Sequence, residues 1–291
     1  MDRSAVEWIA NSIVAAIGRD EAVAAQSLLF LLRYYRDTNR SDVREALEAA
    51  LACAVERHTD AVTATARASW LLVFADAATL SDDDRLRSAA IALVGALRQE
   101  WKHTHLVGEG AVVIESLLAA AQPLDLAALV PEAIDELERI VAGAYRPGEG
   151  LASVLNESSS ARGRLVDHIR GSSALLSAYQ LTGRLPYSML AEELMQFAHR
   201  TFWREPVAAF CDAGIDRGES FLLNCEGARV LSRLAGLHLD DEYRKAAVVA
   251  KTADYAHDAA RILNAHAAWY REPWVQSSAY GLALIECFGL T

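Results

Sequence analysis

The residues able to do acid–base or binding chemistry fall in a few clusters. Trp101-Lys102-His103-Thr104-His105 is followed by Glu109, and Glu149 by Glu157. Asp167, His168 and Arg170 come next, then Trp203, then Glu219, Asn224, Glu226 and Arg229. His266, Trp269, Tyr270 and Trp274 close the series. Histidines whose pKa lies near neutrality suit the two-base proton transfer of a sugar epimerase or isomerase. His103 or His105, paired with His168 or His266, would supply the two bases. Carboxylates held at a fixed separation suit glycoside hydrolysis instead. Glu157, Asp167, Glu219 and Glu226 are the candidates for that chemistry. The bland readings are that loop tryptophans plug a surface and that Asp167 caps a helix start.

These clusters need elements to hold them, and the elements read as helices. Apolar residues recur at helical spacing, as in Leu190, Leu194, Phe197 and Ala198, and strand-like alternation is absent. The six prolines fall at breaks in the pattern. Cutting there predicts about twelve helices, near 3–17, 20–37, 42–57, 60–78, 82–101, 110–121, 131–145, 161–181, 187–203, 219–236, 240–264 and 274–289. Ser41, Ser81 and Asp240 are N-cap candidates.

Odd-numbered segments carry charge along their length, whereas even-numbered ones are poor in charge and rich in small residues. A charged stripe belongs outside; a helix apolar nearly all round is enclosed by neighbours. Links out of even segments are short, whereas most links into them are long. Both facts predict an all-α (α/α)6 toroid, with residues 1–291 as its single domain and the candidate residues at one mouth. An open α-solenoid is the alternative, but it gives no reason for alternate helices to be apolar on both sides.

The stretch Asp167 through Ala174-Leu175-Leu176, Ala178-Tyr179, Thr182-Gly183, Tyr187, Ala191, Glu193-Leu194 and Phe202-Trp203 resembles a repeat of six-hairpin toroid proteins. It is similar to the helical domain of the thioredoxin-domain-containing, spermatogenesis-associated protein 20-like family, and through it to the N-acylglucosamine 2-epimerases. The resemblance covers roughly residues 130–290 and implies the toroid fold and a sugar ligand. The family's Pro-Ser-Gly-Asn motif survives here only as Asn224, its glycine-rich segment is degraded at residues 207–212, and the thioredoxin-like domain is absent.

The expected catalytic residues are therefore His103, His105, Glu157, Asp167, His168 and Glu226. The expected substrate contacts are Trp101, Arg170, Trp203, Asn224, Arg229, Trp269 and Trp274. The expected ligand is a sugar or sugar phosphate, with no metal and no cofactor. The alternative is an inactive toroid serving as a scaffold or interaction module.

Composition narrows the field further. The 291 residues are 53% hydrophobic with a net charge of −11, which excludes a disordered chain and offers no basic stripe for nucleic acid or an anionic membrane. The four cysteines are scattered and the first residues do not form a leader, so a cytoplasmic location is expected. Asp82-Asp83-Asp84 is read as an acidic first turn after Ser81 rather than a diphosphate-binding cluster.

Overall fold

The computed structural model describes residues 3–57, 60–155, 163–272 and 276–290. Thirteen helices are present among them. The first six are α1 (Arg3–Gly18), α2 (Ala25–Thr38), α3 (Ser41–Arg57), α4 (Ala64–Ala77), α5 (Asp84–Glu100) and α6 (Val107–Ala121). Then come α7 (Leu129–Ala144), α8 (Leu165–Thr182), α9 (Leu185–Phe202), α10 (Arg217–His238), α11 (Asp241–Ala246), α12 (Tyr255–His266) and α13 (Ser277–Phe288). Two small antiparallel hairpins interrupt the links: β1 (Tyr145–Arg146) with β2 (Gly150–Leu151), and β3 (Trp203–Arg204) with β4 (Ala209–Phe210).

Six helices form an inner ring. Around it α2 packs on α4, α4 on α6, α6 on α8, α8 on α10, α10 on α13, and α13 returns to α2. That last contact closes the circle, so the molecule is an (α/α)6 toroid and not an open solenoid. Gly281 makes the seam possible, because a Cβ there would lie 2.5 Å from Cε2 of the fully buried Phe30. The inner helices are apolar nearly all round; α6 buries Val107, Gly108, Val113, Ser116, Leu117 and Ala120, which lie on different sides of it. The outer helices α1, α3, α5, α7 and α9, with α11 and α12, carry the solvated charge. All six inner helices run the same way, so their N-terminal ends and the links that carry both hairpins share one face.

Several boundaries depart from the sequence reading: α2, expected from residue 20, begins at Ala25, and Ser41 is the first residue of α3 rather than its cap. The helix expected over 240–264 is broken: α11 ends at Ala246 and α12 begins at Tyr255. The fully buried Glu192 of α9 holds the break open, accepting hydrogen bonds from the backbone N–H groups of Val249 (2.9 Å) and Ala250 (3.0 Å). His238 Nε2 (3.1 Å) and the Tyr255 hydroxyl (3.0 Å) donate to the same carboxylate. A buried carboxylate with four donors offsets the loss of helix there. The N-cap of α5 is Asp83, not Ser81; its carboxylate accepts from Arg85 N and also pairs with the Arg85 side chain. The acidic triplet is thus the start of a helix. Asp240 caps α11 as expected.

Candidate functional site

The hairpin face is built by pinning loops onto the first turns of inner helices. Asp167, in the first turn of α8, is 4% exposed and accepts three hydrogen bonds. They come from Gly108 N (3.0 Å), Ser153 Oγ (2.6 Å) and Arg164 N (3.0 Å). One carboxylate thereby ties the starts of α6 and α8 to the link before α8 and satisfies the N–H of Arg164, the residue just before the helix. His168 is fully buried. Its Nε2 accepts the Leu151 N–H of β2 (3.1 Å), so its Nδ1 carries the hydrogen and donates to the Arg164 carbonyl (2.9 Å). The ring stacks on Phe197, 4.7 Å between centroids. Burial pushes its pKa below that of an ordinary histidine.

Asn224 does for the second hairpin what His168 does for the first. Its Oδ1 accepts Phe210 N–H (2.8 Å), and its Nδ2 donates to the carbonyls of Phe210 and Ser220 (2.9 Å each). The one surviving residue of the family motif is therefore bonded entirely to backbone. His266 is also buried, with Nδ1 bonded to the Ile262 carbonyl (2.8 Å), and burial pushes its pKa down. Asp167, His168 and Asn224 are thus brought together as framework, with their polar atoms already occupied.

The aromatic candidates divide similarly. Trp101 is 4% exposed and sits in a 3-10 turn after α5. Trp203 is buried between His199 (stacked, 5.0 Å) and Phe210 (edge-on, 5.3 Å), and its Nε1 donates to Glu205 (3.1 Å). Trp269 is the most exposed of the described tryptophan candidates, at 44%, and its ring meets His266 edge-on at 5.3 Å. His103 and His105 are exposed and line a cleft of about 590 Å³ with Gln99, Glu100, Thr104 and Glu109, between the starts of α4 and α6. Glu157 and Trp274 lie outside the described residues.

The charged groups of the ring's interior form a ladder. On α8, Arg170, Ser173 and Ser177 repeat as i, i+3, i+7; on α10, Glu226, Arg229 and Arg233 do the same, so each set lies on one helix face. Arg170 pairs with Glu226 (3.2 Å) and Arg229 with Glu286 of α13 (2.7 Å). Arg233 reaches Glu115 of α6 (3.4 Å), the Ser173 and Ser177 hydroxyls (3.0 Å each) and the Gln180 side-chain Oε1 (3.1 Å). The α10-to-α6 pair passes over the face of α8, which places these groups on the axial side of the ring. Protein surrounds them, yet their side chains stay 22–32% exposed, so the axial side of the ring is open to solvent at these groups. Burial opposes ionisation of Glu286, but the Arg229 guanidinium outweighs it and holds Glu286 below the usual carboxylate range. Burial pulls Arg233 below the ordinary guanidinium value.

Of this ladder, Arg170, Glu226 and Arg229 were expected site residues; Glu115, Arg233 and Glu286 were not. A signal was present for two of the missing three, since Glu286 is the one charge on α13 and Glu115 one of two on α6, whereas Arg233 is one of several charges on α10. Among the described residues no group of three or more His, Cys, Asp or Glu is arranged to hold a metal ion. No described helix is long and apolar enough to cross a membrane.

No protein-family model matches the sequence, and no curated protein matches it. Solved structures do resemble the fold. The cellobiose 2-epimerase of Bacillus thermoamylovorans B4167 superposes with a TM-score of 0.63 at 10% identity, over 84% of this chain and 75% of that one. The unsaturated glucuronyl hydrolase of Bacillus sp. GL1 gives 0.64 at 13%, over 88% and 76%. An inactive variant of the α-1,6-mannanase of Salegentibacter sp. HEL1_6, solved with α-1,6-mannotriose, gives 0.67 at 13%, over 98% and 99%. At these identities the likeness establishes the shared toroid.

Proposed function

We propose that the protein binds and processes a carbohydrate in the axial channel, entered from the hairpin face. The observation that carries this reading is the water-accessible ladder of Arg170, Glu226, Arg229, Glu286, Arg233 and Glu115 inside the ring. Fixed carboxylates and guanidinium forks are the groups that hydrogen-bond sugar hydroxyls. Trp269, 44% exposed in the link before α13, adds aromatic surface suited to an apolar sugar face. The three structural neighbours named above are an epimerase and two glycan-cleaving enzymes, which supports the same ligand class.

Between the two reactions, hydrolysis fits better than epimerisation. His168 has both ring nitrogens engaged, so it is not poised to exchange a proton with a ligand, and His266 keeps only the Nε2 of a buried ring. The channel carries three carboxylates instead. Glu286, held ionised by Arg229, suits charge stabilisation rather than proton donation, and Glu226 is the carboxylate nearer the hairpin face. His103, His105 and Glu109 then bind the outer part of the ligand.

The scaffold reading draws on a specific fact: each channel carboxylate already faces an arginine. A thermal-shift screen against neutral and uronic-acid oligosaccharides separates the two. A ligand at a hundredfold excess over Kd should raise Tm by about 5 °C. Glu226→Gln should abolish reducing-sugar release while keeping the shift. No shift with any sugar, together with unchanged behaviour of Glu226→Gln in cells, would leave the scaffold reading standing.

A further inference from the structure

A second cavity of about 370 Å³ lies away from the axis, between the first two helical hairpins. Its walls are Ile17 of α1, Val23 and Leu28 near the start of α2, Ala50 and Cys53 of α3, and Trp70 of α4. Trp70 is only half-buried, with its ring stacked on Phe74 (5.6 Å), so a rigid indole forms part of the wall. Ile17, Val23, Ala50 and Cys53 are likewise only half-buried. A packed domain seldom leaves several apolar side chains incompletely covered around one concavity. The size is that of a small-molecule site.

Charge at the opening selects the ligand. The described rim carries Asp20, Glu21 and Asp60 against Arg57, with Glu21 paired to Arg19 at 2.6 Å. One carboxylate is in excess there. The helix ends do not reverse this, because the positive starts of α2 and α4 face the negative ends of α1 and α3 at the same opening. An aromatic wall below an acidic rim favours a flat apolar body with a cationic end.

We propose that this cavity is a second ligand site, separate from the channel, that binds an aromatic amine. The site shares no lining residue with the channel ladder, so it stands or falls independently of the carbohydrate reading.

Calorimetric titration of the full chain with tryptamine and with indole-3-acetate tests it, because the two share a ring and differ in the sign of charge. Tryptamine should bind about fivefold or more tightly than indole-3-acetate at low salt. Ala50→Phe, which fills the cavity, should remove binding of both, with far-UV circular dichroism confirming the fold. The surface double variant Asp20→Asn/Asp60→Asn, which turns the one excess carboxylate into one excess guanidinium, should bring the affinity ratio to one or below. Absence of tryptamine binding, a ratio near one in the unaltered chain, binding that survives Ala50→Phe, or a ratio untouched by the double variant would each overturn the proposal.

Discussion

The two hairpins on the mouth face are the same device built from different chemistry. Each has strands of two residues, each precedes an inner helix, and each gives a second-strand N–H to a buried side chain of that helix. The first is held by His168 and the second by Asn224. The first takes its left-handed backbone positions at Gly148 and Gly150 (φ +74° each); the second takes one at Ala208 (φ 50°). The anchor of the first hairpin can be protonated and that of the second cannot. Equivalent geometry therefore does not imply equivalent response to acid or to substitution.

The largest effect should come from Gly150→Ala. A Cβ there would lie 2.2 Å from His168 Nε2 and 2.9 Å from Phe197 Cδ1, at a φ that L residues disfavour. A loss of about 3–5 kcal/mol in guanidinium unfolding is expected. A loss below 1 kcal/mol would mean the first hairpin is not anchored as described.

Asn224→Ala strands the N–H and C=O of Phe210 and the Ser220 carbonyl. Chemical denaturation should register a loss of about 2–4 kcal/mol. Because Asn224 does not titrate, that loss should be the same at pH 5 and pH 7.

The first hairpin should differ on that point. Burial favours neutral His168 in the folded chain, whereas an unfolded histidine takes up a proton near pH 6.5. Its contribution is complete above about pH 6.5 and is lost as pH falls toward the lower folded pKa. His266 is shifted the same way. Unfolding free energy measured from pH 7 to 5 should therefore fall with pH, by up to ~1.4 kcal/mol per unit for each histidine. His168→Gln should remove one share of that slope and leave the other.

The smallest effect is a gain. Ala208→Gly relieves the left-handed alanine of the second hairpin but loosens the unfolded chain, for a net stabilisation of about 0.5 kcal/mol. A rise of about 1 °C in Tm is the expected readout, and a fall would show that Ala208 is not strained.

These contrasts show which parts of the molecule were legible in the sequence. Inner and outer helices were, because enclosure on all sides leaves a direct mark on composition, as in α6 and α13. The break after Ala246 was not, since the carboxylate that stabilises it belongs to Glu192, more than fifty residues away in the chain. Asp167, His168 and Asn224 stood out as unusual residues at the right positions. Apart from the Ser153 hydroxyl, their hydrogen-bond partners are backbone groups of links, strands and helix starts, which no pattern of side chains encodes. The channel ladder was half legible: Arg170, Glu226 and Arg229 sit near the motif, whereas Glu115 and Glu286 come from distant helices that meet it only across the axis.

The seam between α13 and α2 bears on how the chain reaches its structure. An open array can fray from its last repeat while the rest persists. Here every hairpin has a neighbour on both sides, so no repeat is terminal and unfolding should be cooperative. The residues that meet at the seam, Phe30 and Gly281, are 251 positions apart. Bringing them together requires closing nearly the longest loop this chain contains, a slow step whose entropic cost precedes the contacts that reward it. Ring closure is thus the natural last event in folding, and substitutions at Gly281 should act on the final kinetic phase more than on the early ones.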